Sequence, residues 1–418
     1  MSSKLSAAWW VPTLYFAEGI PYFIVNVISV TLFKRLGMPN GDLAMYTSLL
    51  YLPWVIKPLW SPFVDLIRTK RWWILLMQAL CTAGFAALAL SVRPGAFGLT
   101  LVIFYIVAFA SATHDIAADG FYMLALDPTQ QAAYVGIRST FYRIASVFGQ
   151  GVIVVLAGLL EERFGHIPRA WSITLLASAA LFALLTLWHW HALPRTERGH
   201  VRPEDGGVKA VCRGFADAWT SFFRKPGAGP AIAFLLLYRL PEALSVKMLT
   251  PFLLDPAEAG GLGLGTAQAG LVYGTVGVIA LTVGGILGGL YAARKGLRRS
   301  MWPMSAALAL PCAVYLLLAL VQPSALWSIC LCVAADQFGY GFGFTAYMLY
   351  MMQFSEGPFK TSHYAICTAF MALSMMIPGL FAGWMQEALG YVGFFIAVMI
   401  CCSATVFVTF SARRRCSP

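Results

Sequence analysis

The sequence predicts an all-α integral membrane protein of twelve transmembrane helices, arranged as two six-helix bundles. Three observations carry this reading. The 418-residue chain is 59% hydrophobic and only 11% charged, against about 25% charged residues in an average soluble domain. Apolar runs long enough for a span, about 20 residues, recur from end to end. One polar stretch, residues 193–229, has six such runs before it and six after. The domains expected are therefore a bundle over 1–192, a cytoplasmic linker over 193–229, and a bundle over 230–418 that ends in a short basic tail.

The spans are read near 9–32, 43–64, 73–91, 98–124, 132–160, 170–192, 230–254, 266–291, 301–321, 325–354, 363–386 and 390–411. Barrel strands would alternate polar and apolar residues, and these runs do not. Helices satisfy their own backbone groups, which hydrocarbon cannot do. In the linker, "GFADAWTSFFRK" has the composition of a helix lying on a membrane surface. "GGLGLGTAQAG" lacks the Lys-Ser/Thr of a phosphate-binding loop, and Thr266 is read as the helix cap opening span 8.

The net charge of +11 does not point to nucleic acid, because the charges are segregated. With the N-terminus inside, inner loops and tails hold nineteen Lys and Arg residues and outer loops hold five. This is the positive-inside pattern, with both termini expected in the cytoplasm. "MSSKLSAAWWVPTLYF" shows no clear signal-peptide cleavage site. The nine cysteines lie mostly in apolar runs without a paired framework, so neither metal nor disulfide is expected. No cofactor is expected either. The bilayer is the first partner expected; the buried carboxylates and duplicated halves described below add a small-molecule substrate and protons as expectations, and the chain is expected to be a monomer.

The two halves repeat their features. "SPFVDLIRTKRWW" follows span 2 and "GGLYAARKGLRRSMW" follows span 8. "LAGLLEERFGH" closes span 5 and "FAGWMQEALGY" closes span 11. "LYFAEGIP" in span 1 is echoed by "LYRLPEAL" in span 7. Duplicated six-helix units are how many secondary transporters are built, with the substrate site between repeats. The turn carrying Asp65, Arg68 and Arg71 resembles the loop motif of the major facilitator superfamily. That resemblance implies a gate, with Asp65 holding a base or a helix N-terminus.

Charges within the spans are the functional candidates, because each costs about 2.5–3.5 kcal/mol to insert. Glu18, Asp115, Arg143, Arg239, Glu242 and Asp336 lie deep; Lys57, His114, Asp119 and Arg138 lie nearer span ends, and Lys247 is read as snorkelling. Spans 4 and 5 should form a hairpin turning near Pro128. By helical rise, Asp119 and Arg138 each sit roughly 8–9 Å in, and Asp115 and Arg143 roughly 13–16 Å in. The expected ladder is Asp119 with Arg138, which joins the gating set, and Asp115 with Arg143. Arg239 and Glu242 can pair at i, i+3, and Pro241 should break span 7 beside them. Tyr15, Tyr142 and Tyr238 are candidates for an aromatic cavity wall.

"KPLWSPFVD", "SATHDIAAD", the Tyr142–Arg143 pair, "LYRLPEAL" and "FAGWMQEALGY" resemble, in order, segments of the AmpG-type muropeptide permeases. The chain departs from them at "ALSMMIPG", where those permeases have an arginine, at Glu18, where they have a small polar residue, and in stopping at "RRRCSP" where they have two further helices. The resemblance implies proton-coupled import of anhydromuramyl saccharides, with or without peptide, across the inner membrane. Siderophore permeases and acetyl-CoA transporters belong to the same branch, so a siderophore or an acyl-CoA-like anion is the alternative cargo. A receptor would not need matching buried charges in both halves. An enzyme would need a nucleophile, base and orienter, and no such set is visible.

Overall fold

The computed structural model describes residues 6–93, 95–195 and 207–414. Among these, the helical segments group into the twelve expected transmembrane spans, one further α-helix, Gly207–Arg224, and a single 3-10 turn, Ala257–Ala259. Span 1 is Ala7–Arg35. Span 2 is Asn40–Leu49 followed by Leu52–Leu66. Spans 3, 4 and 6 are Lys70–Ser91, Phe97–Ala125 and Ile167–Ala192. Span 5 runs through Pro128–Val147, Phe148–Val152 and Ile153–Phe164. Span 7 is Ala228–Leu237 then Leu240–Leu254. Spans 8, 9 and 10 are Thr266–Lys295, Leu297–Val321 and Leu326–Ser355. Spans 11 and 12 form one helical run, Lys360–Arg413, broken only at Gly390, whose φ of 67° suits a residue without a Cβ.

Local chemistry sets the ends. Asp127 opens span 5 as a capping box: its carboxylate accepts from the Gln130 N–H at 2.9 Å, and the Gln130 amide oxygen accepts from the Asp127 N–H at 3.2 Å. Span 7 breaks at Tyr238–Arg239, and Pro241 falls in the first turn of its second segment, where the missing N–H costs nothing. Span 8 starts one residue earlier than the cap expected at Thr266. Gly265 holds the cap position and Thr266 is the first helical residue, because Gln268 reaches back to the Gly265 N–H at 3.1 Å.

The described chain divides into two compact units, residues 1–36 with 56–211, and residues 37–55 with 212–418. In the first unit, span 3 packs on spans 4 and 6, and span 1 packs on spans 4 and 5. Spans 1 and 5 each loosen into a π-helical turn, at Ile24–Ile28 and Phe148–Val152, and these turns meet. In the second unit, the Asn40–Leu49 segment lies along span 11, away from the grouping that sequence order alone suggests. Bare backbone explains this closeness. A Cβ on Gly383 would fall 1.9 Å from the Asn40 carbonyl oxygen, and one on Gly41 would fall 2.2 Å from the Trp384 ring. The linker helix is seated on the same unit: Phe222 is buried against Phe354 and Phe370, and Ser221 bonds the His363 ring at 2.8 Å.

Small residues also set spans 8 and 10 together. A Cβ on Gly341 would lie 2.0 Å from the Leu281 carbonyl oxygen, and one on Gly284 would lie 2.1 Å from that of Phe338. Both obstacles are backbone, so neither can rotate away. Gly341→Val is expected to exceed the about 1–3 kcal/mol typical of overpacking and to abolish monodisperse protein in detergent size-exclusion chromatography. Gly289→Val, with nothing within 4 Å of its Cβ position, is expected to elute as the parent does.

Candidate functional site

The first unit gathers most of the charges singled out in the sequence. Span 1 supplies Tyr15 and Glu18, span 2 supplies Lys57, span 4 supplies Asp115 and Asp119, and span 5 supplies Arg138. Asp119 is held from two sides: Arg138 Nη2 donates to its Oδ1 at 2.7 Å and the Tyr15 hydroxyl donates to the same oxygen at 3.0 Å. The Arg138 guanidinium lies over the Tyr15 ring at 4.3 Å and the Tyr122 ring at 5.1 Å. Cation–π contact and a charge-assisted hydrogen bond therefore fix one arginine. The expected Asp119–Arg138 rung is present.

The rung expected below it is different. Asp115 Oδ2 stands 3.7 Å from Lys57 Nζ, so the ion-pair partner of Asp115 comes from span 2 and not from Arg143. Connected antiparallel helices need not stay neighbours along their length. Span 5 packs along span 1, and span 1 in turn packs on span 4. Tyr142 follows span 5 to that contact, with its ring 5.7 Å from that of Phe23, and Arg143 is half-buried beside it. Glu18 is 8% exposed, and its Oε2 has no hydrogen-bond partner among the described residues. It lies within electrostatic reach of Asp119, Asp115, Arg138 and Lys57. The site is thus one connected set of three carboxylates and two bases on four helices.

His114 turns the other way on span 4. Its Nε2 accepts from the Gln78 amide at 3.0 Å; the Gln78 oxygen meets His189 Nδ1 at 3.0 Å, and His189 Nε2 meets the Thr13 hydroxyl at 3.0 Å. This buried chain ties spans 1, 3, 4 and 6 together. Gln78 and His189 were absent from the sequence reading, although a lone Gln in "LLMQALCTAGF" was a visible signal.

At the turn after span 2, the side chain of Asp65 lies outside the described residues. Arg68 adopts a positive φ of 60°, which makes the turn tight. Arg71 does not face that turn. Its Nε donates to the Leu193 carbonyl at 3.1 Å and its Nη2 donates to that of Trp190, so it neutralises the C-terminal end of span 6.

In the second unit, Arg239 Nε donates to Glu242 Oε2 at 2.9 Å and Nη2 donates to the Tyr340 hydroxyl at 2.8 Å. The guanidinium sits over Phe344 at 4.8 Å. Asp336 accepts from the Tyr315 hydroxyl at 2.6 Å and from Gln337 at 3.0 Å. Tyr238 is fully buried, stacks with Tyr347, and donates to the Gly343 carbonyl at 2.9 Å. It is a packed core residue of this unit, not a cavity wall. Lys247 does not snorkel: it is 6% exposed, and its Nζ meets Thr47 Oγ1 at 3.2 Å. Near the end of span 7, Asp255 accepts from Tyr391 at 2.6 Å and from Asn40 at 3.1 Å.

A family model described as Major Facilitator Superfamily matches residues 13–360. The anhydromuropeptide permease of Escherichia coli (strain K12) is 25% identical over 395 residues, covering 92% of this chain and 75% of the relative. A putative transporter AmpG 4 of Rickettsia felis is 24% identical over 410 residues, covering 94% of this chain and 92% of the relative. Among solved structures, a bacterial homologue of the human lysosomal transporter Spinster, inward-facing and unoccupied, superposes with a TM-score of 0.73 at 17% identity over 99% of this chain and 98% of that one. A D-xylose–proton symporter gives a TM-score of 0.70 at 11% identity, covering 96% of this chain and 95% of that one.

Proposed function

Since this chain belongs to the Major Facilitator Superfamily and is a multi-pass membrane transporter, we propose that it imports an anhydromuropeptide-like amino-sugar fragment together with protons across the cell inner membrane. The cargo reading rests on the resemblance in "SATHDIAAD" and "LYRLPEAL" and on the similarity to the Escherichia coli permease. The coupling reading rests on one observation above all: Glu18, buried, with a carboxylate oxygen that no donor among the described residues reaches, beside the Asp115–Lys57 and Asp119–Arg138 pairs. A buried carboxylate without a donor is costly unless a proton or a cation compensates it. Movement of a helix that withdraws Lys57 or Arg138 would change which carboxylate binds the proton. The turn of Asp65 and Arg68 is assigned to the inner gate from its resemblance to the superfamily's loop motif, with Arg71 bracing the end of span 6 beside it, and both termini are assigned to the cytoplasm from the distribution of basic residues.

Uptake of radiolabelled anhydromuropeptide into proteoliposomes tests this. One proton per solute and an inward gradient of one pH unit should give about tenfold accumulation, abolished by a protonophore. Accumulation that ignores the protonophore and follows sodium would refute the coupling. No uptake of the sugar, with uptake of a ferric siderophore or an acyl-CoA, would refute the cargo.

A further inference from the structure

We propose that Lys247 and the Ser48 hydroxyl, with Thr47 steadying the lysine, form an anion-binding subsite that takes a carboxylate of the transported solute; this rests on the transport reading above and names the group that would be held. Lys247 sits in the second segment of span 7, eight residues before Asp255, and so roughly 12 Å from the span end. Its ammonium has three donors. Among the described residues it has the Thr47 hydroxyl at 3.2 Å and the Tyr51 ring at 5.4 Å, and no carboxylate. Arg239, two turns earlier on the same span, is buried as deeply and has Glu242 at 2.9 Å. A structural cation in this unit is thus given an acid, and Lys247 is not.

A second observation points to a ligand. Ser48 Oγ is fully buried and has no hydrogen-bond partner among the described residues. It lies one residue beyond Thr47 and faces the lysine stem across Gly379: a Cβ there would stand 2.3 Å from Ser48 Oγ and 3.1 Å from Lys247 Cε. Glycine lets span 11 close on both groups and hold them side by side. The Thr47 hydroxyl gives its one proton to the Leu43 carbonyl at 2.6 Å and accepts from Lys247, so it steadies the lysine. The ammonium and the Ser48 hydroxyl are the two donors left to match a single carboxylate. A phosphate dianion is more often met by the fork of an arginine. Leaving an ammonium and a hydroxyl unmatched costs stability, and a bound carboxylate would recover that cost.

The test uses the full-length protein in nanodiscs, titrated calorimetrically with an anhydromuropeptide and with the same compound carrying carboxamides in place of its carboxylates. The parent should prefer the acid. Lys247→Met should bind the acid at least tenfold more weakly and the carboxamide within twofold of the parent, and Lys247→Arg should recover part of the loss. An unchanged acid preference in Lys247→Met, or an equal loss for both compounds, overturns the subsite. The unfolding midpoint of ligand-free Lys247→Met should not fall, since no acid is stranded; a fall together with an unchanged preference makes the lysine structural. If the parent binds neither compound, the cargo reading fails, and the subsite is then judged by lactate against lactamide. Lactate should raise the parent's midpoint and not that of Lys247→Met, and equal effects on both overturn it.

Discussion

Replacing Arg239 with glutamine should cost the protein about 3–5 kcal/mol, the usual penalty for breaking a buried ion pair by removing one partner. The size follows from the surroundings. The Arg239 and Glu242 side chains are 6% and 5% exposed, and the guanidinium is enclosed by Tyr340, Phe344 and Tyr347. Glutamine would leave the Glu242 carboxylate buried with no opposite charge. Set against total stabilities of about 5–15 kcal/mol, that loss should appear as a sharply lowered unfolding midpoint in detergent. Arg239→Met combined with Glu242→Met should recover most of it, because apolar groups of similar volume remove both desolvation costs at once. A single variant as stable as the parent would show that water reaches this pair. A stable double variant that no longer transports would add a role in the cycle to the structural one.

The sequence made the spans legible because lipid imposes length and apolarity on each one. It also exposed the Arg239–Glu242 pair and the break in span 7, which depend on neighbours three residues apart on one helix. The Asp119–Arg138 rung was legible because it lies close to the hairpin turn, where chain connection fixes distance. Connection fixes little at Asp115, farther from the turn, where span 1 packs on both spans 4 and 5 and an ion-pair partner comes from span 2. Which helices pack together is recorded instead by the small residues. "GLFAG", "GGILG" and "GYGFG" each place two glycines four apart where another span's backbone or side chains press in, at Gly379 and Gly383, Gly284 and Gly288, and Gly339 and Gly343. Read for that spacing, they would have signalled the close approach of helices, though not which spans meet. Lys247 was misread because its position near a span end suited a snorkelling chain. The hydroxyl that meets it is 200 residues away.

Asp115→Asn should abolish concentrative uptake, bringing the about tenfold accumulation expected at a gradient of one pH unit down to equality across the membrane, while leaving exchange of labelled for unlabelled solute close to that of the parent. Exchange requires no net proton movement, so it survives loss of the proton acceptor if the helices still pack. They should still pack, because the Asp115–Lys57 contact is a long 3.7 Å and both side chains keep some exposure, 13% and 26%. Lys57→Met leaves Asp115 beside Glu18 and Asp119, three acids facing Arg138 as the one base whose pairing the structure shows in this cluster. That variant should express less well, and Asp115→Asn introduced into it should restore expression. If the pair is only a brace, the double variant should also regain concentrative uptake. If Asp115 carries the proton, the double variant should express and exchange but not accumulate. The geometry favours the second result. A brace would have a short contact, as Asp119 has with Arg138 at 2.7 Å, whereas a pair held at 3.7 Å beside an unpartnered Glu18 oxygen is one a small helix movement can open. Uptake and counterflow, both normalised to protein in the membrane, separate the two, and full accumulation by the double variant would reduce "HDIAAD" to a contact between spans.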